Sequence, residues 1–249
     1  MIGPVNARIL LVEDDPFHMG YLEEQVASAL PEADEILLAH DGAEGEELAR
    51  RADVGAIVMD LQMKSRNGIE AARTIWSERP QTRILFWSNY ADEAYLRGIT
   101  RIVPEDCAYG YVLKTVSNER LHLALRSVLV QGQITIDREM HRIQKRRTEA
   151  GSALTDSEYA VLIDLALGLP DKEIARRHGM SLRTVQNRLL SLYDKLEVDA
   201  EDEPGADGGV NKRVRALTRA LLTRTLNIEA LESAERARLE ELAASRGTV

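Results

Sequence analysis

The chain has 249 residues, 44% hydrophobic and 29% charged, with a net charge of −9 and a single cysteine, Cys107. That composition suits a protein with real apolar cores, enough for one large domain or two ordinary ones. It excludes an internal disulfide, no apolar run approaches the length of a membrane span, and MIGPVNARIL carries no basic region followed by a long apolar stretch, so a cytoplasmic protein without a leader or membrane contact is expected.

The first half alternates between two periodicities. Arg8 to Val12 is an apolar run followed by Glu13-Asp14-Asp15-Pro16, and proline behind an aspartate is a helix-start signal. The helix it opens has Met19, Leu22, Val26 and Leu30 on one face. Residues 35–40 read as a second strand and 43–51 as a second helix. GAIVMD (55–60) reads as a third, fully buried strand. The helix over 68–78 turns Ile69, Ala72, Ile75 and Trp76 inward. Residues 83–88 and 109–114 are the fourth and fifth strands, and a helix over 118–132 closes the series. Five strands alternating with helices predict a doubly wound parallel α/β sheet.

In such sheets chemistry gathers at the carboxyl ends of the strands. Those ends are Glu13-Asp14, Asp60, Ser88 and Lys114. Carboxylates packed together repel and call for a cation, and hard oxygen ligands suit Mg²⁺. A carboxylate beside such an ion can act as a nucleophile toward phosphorus, with Lys114 neutralising charge and Ser88 hydrogen-bonding the phosphoryl oxygens.

The stretches ILLVEDDP, IVMDLQM, FWSN and GYVLKT, in this order, resemble the receiver domain of bacterial two-component response regulators over residues 8–131. The resemblance implies a flavodoxin-like fold with Asp60 as phospho-acceptor. It implies Mg²⁺ held by Glu13, Asp14, Asp60 and the backbone carbonyl of Gln62, Lys114 paired with the phosphoryl group, and Ser88 and Tyr111 as switch residues. Two features depart from the family. Met63-Lys64 stands where Met-Pro is usual, with Lys64 and Arg66 adding positive charge near the pocket. The stretch between Ser88 and Lys114 is also longer, with RIVPED (101–106) as the excess.

Residues 1–132 hold 21 acids against 13 bases, so the acidity lies mainly there. Residues 133–152, with 3 acids and 5 bases including Lys145-Arg146-Arg147, read as a solvated linker. Beyond it Thr155 and Glu158 form a capping box, and Val161, Leu162 and Leu165 give that helix its apolar face. Leu169-Pro170 breaks the chain before a second helix over 171–178. Gly179 suits a left-handed helix end. Ser181 caps a third helix, with Leu182, Val185, Leu189, Leu192 and Leu196 inward. Two short helices about a glycine turn make a helix-turn-helix. The third helix's other face carries Arg183, Thr184, Gln186, Asn187, Arg188, Ser191 and Lys195, the kinds of side chain that read base edges or meet phosphates.

LT..E...L, G.P.KEIA and S..TVQNRL...Y.KL resemble the LuxR-type DNA-binding domain of the NarL/FixJ regulators, with Gln186 and Arg188 where lysine and histidine are frequent. The acidic, glycine-rich stretch 199–211 reads as a loop. A helix is expected over 212–227, packing through Val214, Leu217, Leu221 and Leu222, and another helix over 228–249, packed on its own domain or on a partner. The predicted organisation is a receiver (1–132), a linker (133–152), an all-α DNA-binding domain (153–227) and a helical extension (228–249). The implied function is a transcription regulator, not a metabolic enzyme. It would be phosphorylated by a sensor histidine kinase and bind double-stranded promoter DNA as a homodimer. The competing reading is a receiver that works without phosphate, or a protein-interaction module.

Overall fold

The computed structural model describes residues 8–138, 141, 145, 153–198 and 211–246. These form two compact units, the first of residues up to 91 with 95–141, the second of residues beyond 141 together with the short stretch 92–94. In the first, six strands make one parallel sheet in the order β2-β1-β3-β4-β5-β6. They are β1 (Arg8–Val12), β2 (Glu35–Ala39), β3 (Ala56–Met59), β4 (Arg83–Ser88), β5 (Tyr109–Leu113) and β6 (Thr135–Ile136). The helices between them are α1 (Pro16–Ala29), α2 (Gly42–Arg51), α3 (Gly68–Glu78), α4 (Glu93–Ile102) and α5 (Asn118–Leu125).

The apolar strands are buried on both faces because helices cover both. Ile9, Leu11, Val58, Leu85, Trp87 and Val112 point to one face and pack with Leu22 and Val26 of α1 and with Leu121 and Leu125 of α5. Alternate strand residues point to the other. There Val12 meets Gly45 of α2, and Phe86 meets Trp76 of α3 edge-on at 6.0 Å between ring centroids. Asp15 caps α1, accepting from the amides of Phe17 and His18 at 2.9 Å each, as the Asp-Pro signal predicts. In α3, Ala71 joins Ala72, Ile75 and Trp76 in the core, while Ile69 is only half-buried.

The five predicted strands are present, and β6 adds a sixth at the edge. It falls in the stretch read as linker. The final helix also differs from the expected span of 118–132: α5 ends at Leu125 and continues as a π-helical turn, Arg126–Val130. Arg83 donates to the carbonyls of Leu129 and Val130 at 2.8 and 3.0 Å, supplying donors that the end of a helix lacks. Gly132, at φ +68°, turns the chain into β6. The amide of Asp137 then donates to the Tyr111 carbonyl at 2.8 Å.

The second unit is helical: α6 (Asp156–Ala166), α7 (Asp171–Arg177), α8 (Leu182–Lys195), α9 (Lys212–Leu222) and α10 (Ile228–Arg246). Thr155 and Glu158 form the predicted capping box, Ser181 caps α8 and Gly179 sits at φ +60°. Val161, Leu162, Leu165, Ile174, Val185, Leu189, Leu192 and Leu196 are its core. Two inward faces differ from expectation. Leu182 is 39% exposed, because the first turn of α8 projects beyond the core. In α9, Val214, Leu221 and Leu222 are exposed and the contact runs through Ala216, Leu217 and Ala220. The small alanines let the helix backbones approach, which turns the larger residues away. In α10, Leu231 packs on the core while Ile228, Leu239 and Leu242 are exposed. The acidic stretch lies outside the described residues, apart from Asn211, which caps α9.

Candidate functional site

Strand register assembles the candidate site. Val12, Met59, Phe86 and Tyr111 lie side by side across β1, β3, β4 and β5, so the residues just beyond them emerge along one edge. The hydrogen-bond ladder runs slightly past the strands: Asp60 N–H donates to the Val12 carbonyl at 2.9 Å, and Lys114 N–H to that of Ser88 at 2.8 Å. Backbone pairing therefore fixes the roots of these side chains independently of the contacts among them.

Carboxylate oxygens of Glu13, Asp14 and Asp60 lie within 4.8 Å of one another, a grouping able to hold a metal ion. Glu13 and Asp60 are buried and Asp14 is half-buried. The Lys114 ammonium, almost wholly buried, donates to Glu13 Oε2 at 2.6 Å and lies 3.3 Å from Asp60 Oδ2. Burial pushes the Asp60 carboxyl up to about 6. Lys114 opposes the rise, Glu13 adds to it, and the amides of Leu61 and Gln62 oppose it. An acid held this far above its ordinary value by burial and charged neighbours is a functional-site signal.

Ser88 is fully buried and accepts from the Tyr90 amide at 3.3 Å. Tyr111 is buried and its hydroxyl donates to the Tyr90 carbonyl, so both expected switch residues meet at Tyr90. Lys64 touches the pocket through its amide, which donates to Asp14 Oδ2 at 3.3 Å. Arg66 is engaged elsewhere, by Glu46 and Thr74.

Two residues at the site escaped the sequence reading. His18 Nδ1 is 3.2 Å from the Lys114 ammonium, and the Trp87 ring centroid is 4.8 Å from it. Their signal was positional. His18 stands one turn into the helix that leaves a functional strand end, and Trp87 immediately precedes Ser88.

In the second unit, Arg183, Gln186 and Asn187 of α8 are exposed, and Thr184 and Arg188 are half-buried. The Arg188 Nε is buried without an acceptor. Ser191 and Lys195 do not share the outward face. Their side chains turn to the buried Glu158 of α6, at 2.6 and 2.7 Å. The other five of the seven predicted contact residues are not bonded to Glu158, and Thr184 and Arg188 are half-buried like Ser191 and Lys195.

The response regulator receiver domain matches residues 9–126. The transcriptional regulatory protein YdfI of Bacillus subtilis is 34% identical over 200 residues, covering 77% of this chain and 84% of its own length. This chain belongs to the response-regulator family. The response regulator protein VraR of Staphylococcus aureus is 28% identical to the regulator over 202 residues, covering 78% of it and 92% of VraR. Among solved structures, a LuxR-family two-component response regulator from an Aurantimonas strain matches with a TM-score of 0.50 at 26% identity. It covers 57% of the regulator and 98% of the matched chain. The response regulator RcsB, in a complex with DNA, matches with a TM-score of 0.57 at 19% identity over 87% of the regulator and 98% of its own chain. The regulator thus joins a parallel α/β receiver to a helical unit of the kind found in NarL/FixJ-type transcriptional regulators. No helix among its described residues is long and apolar enough to cross a membrane.

Proposed function

We propose that the regulator is switched by transfer of a phosphoryl group to Asp60 from a sensor histidine kinase, and that α8 reads promoter DNA. The observation that carries this reading is the Lys114 ammonium beside Asp60, within a cluster of three carboxylates. The oxygen-only donor set of Glu13, Asp14 and Asp60 fits Mg²⁺, with the Gln62 carbonyl as a further ligand. Bound Mg²⁺ supplies charge neutralisation for the incoming phosphoryl oxygens. Asp60 is the nucleophile, Lys114 takes up phosphoryl charge, and Ser88 and Tyr111 respond through the Tyr90 segment they share.

On this reading residues 1–132 are the receiver, 133–152 connect it onward, and 153–227 bind DNA in the cytoplasm. Arg183, Thr184, Gln186, Asn187 and Arg188 face the duplex. A dimer would set two copies of α8 on half-sites about one duplex turn, ~34 Å, apart. Intact mass after incubation with a small acyl phosphate and Mg²⁺ tests the switch. One phosphoryl group should appear on the wild type, and none on Asp60→Asn or without Mg²⁺. A wild type that gains no mass, from this donor or from any histidine kinase, removes the acceptor reading.

A further inference from the structure

Trp87 is a large aromatic at the end of β4, 1% exposed, on the sheet face covered by α1 and α5. Its Nε1 is buried without a hydrogen-bond acceptor. A buried tryptophan normally finds a partner for that N–H, so hydrogen bonding is not what this position uses. It uses the ring. The indole is stacked on Tyr21 at 5.8 Å and an interplanar angle of 14°, His18 meets it edge-on at 5.8 Å, and the Lys114 ammonium lies over it at 4.8 Å from the centroid. Tyr21 is tied down in turn, its hydroxyl donating to Asn118 Oδ1 at the start of α5 at 2.7 Å.

The Lys114 ammonium has three polar neighbours: Glu13 at 2.6 Å, His18 at 3.2 Å and Asp60 at 3.3 Å. Glu13 is also a candidate metal ligand, so its oxygens answer to two cations. Asp60 changes charge and shape when it is modified. The ring face carries neither of those demands, and a desolvated ammonium over an indole is attracted by the ring quadrupole.

We propose that Trp87 is a positioning residue for phosphoryl transfer, its indole face holding the Lys114 ammonium beside Asp60 while the carboxylates around it change partners. This rests on Asp60 being the acceptor. In the transfer, a carboxylate oxygen of Asp60 bonds to the phosphorus of an acyl phosphate donor. The bond from phosphorus to the donor's bridging oxygen breaks, and the donor leaves as its carboxylate with that electron pair. No proton moves. Trp87 touches none of these atoms and acts through Lys114.

The test compares Trp87→Leu and Trp87→Phe with the wild type, each also in a Lys114→Met background. Phosphorylation by a small acyl phosphate with Mg²⁺ is followed by intact mass. Proton NMR of the Lys114 ε-methylene is recorded without donor. In the wild type the indole ring current should shift that methylene upfield, and Trp87→Leu should abolish the shift. Trp87→Leu should slow phosphorylation at saturating donor about tenfold, leave the donor KM unchanged, and cause no further loss in Lys114→Met. Trp87→Phe, with a weaker quadrupole, should slow it about threefold. Should Trp87→Leu not fold, Trp87→Phe alone decides.

A Phe variant at the wild-type rate, or a Leu variant equally slowed with and without Lys114, overturns the proposal while the acceptor reading stands. A wild type that takes up no phosphoryl group from this donor or any histidine kinase overturns the acceptor reading, and this proposal with it.

Discussion

Glu158 of α6 accepts a hydrogen bond from the Lys195 ammonium of α8 at 2.7 Å, so an ion pair ties the second helix of the helix-turn-helix to the helix that precedes the motif. The same carboxylate accepts from Ser191 Oγ at 2.6 Å and from the Thr155 amide at 2.7 Å. Burial alone would raise the Glu158 carboxyl, but Lys195, Ser191 and Thr155 outweigh it and bring it down to about 2. A group held below its unfolded value stabilises the fold at pH above about 4.5, and that contribution is lost as pH falls from there toward 2. Glu158→Gln should therefore cost on the order of 2–3 kcal/mol at pH 7. It should also flatten acid sensitivity between pH 4.5 and 2. Hydrogen-exchange mass spectrometry of peptides covering 155–196 measures both. Equal protection in the variant and the wild type at pH 7 would count against the network's role.

The outward face of α8 makes a different prediction. Glu158 is hydrogen-bonded to Thr155, Ser191 and Lys195 and not to Arg183 or Arg188, so removing the two arginines should leave the helix in place. Arg183→Ala with Arg188→Ala should weaken duplex binding and reduce the salt slope by about 2 if both meet phosphates. Ser191→Ala should act instead on the exchange protection of α6 and α8 and leave the salt slope alone. Titrations at several salt concentrations separate the two. An unchanged slope in the double variant would remove this face from the duplex.

How much of this was legible in the sequence follows from the range of the forces involved. The strands and the acidic edge could be read because apolar runs ending in Glu13, Asp60, Ser88 and Lys114 are local patterns, and parallel pairing does the rest. The caps at Asp15, Thr155 and Ser181 were equally local. The direction of Ser191 and Lys195 was not. It depends on a buried carboxylate 33 and 37 residues away, whereas helical spacing alone places both on the outward face. The α9 face was misread because a scan for large apolar residues favours Val214, Leu221 and Leu222 over Ala216 and Ala220, where close approach matters more than area. β6 was missed because two residues, Thr135 and Ile136, carry no periodicity, and their pairing partner Gly110-Tyr111 is distant in sequence. The contact of Trp87 with Lys114 is a side-chain meeting that no spacing rule encodes.

Asp60 should make the receiver less stable at neutral pH in the absence of divalent cations. Its carboxyl stands at about 6 when folded, chiefly from burial, against an ordinary 3.8. A raised acid means that the folded state binds more protons than the unfolded state between those values, so stability falls as pH rises from about 4 to 6. Asp60→Asn removes the charged form. With chelator present it should raise stability at pH 7 by on the order of 1–3 kcal/mol, and the gain should vanish below about pH 4. Urea unfolding of both proteins at pH 7 and pH 4 checks it. A variant no more stable than the wild type at pH 7 would show that Lys114 offsets the burial cost in full.

The tightest backbone approach to the site is at Gly68, the first residue of α3. A Cβ there would lie 2.1 Å from the Asp60 carbonyl oxygen and 3.1 Å from the Leu61 Cα, both backbone atoms with no side-chain freedom to yield. The Gly68 amide also donates to the Leu61 carbonyl at 3.1 Å, clamping the start of α3 to the segment that carries the acceptor. Gly68→Ala must push the two apart. It should cost roughly 2–4 kcal/mol and slow acyl-phosphate labelling of Asp60, because the amides of Leu61 and Gln62 that hold its carboxylate move with the backbone. Gly20 is the control. It is exposed in the middle of α1, and a methyl group there would have nothing within 4 Å. Gly20→Ala should stabilise by about 0.5–1 kcal/mol through helix propensity and leave labelling unchanged. Thermal unfolding and intact mass on the same two preparations read both effects. A Gly68→Ala protein with wild-type stability and labelling would show that the 60–61 segment is free to move, contrary to the clamp described here.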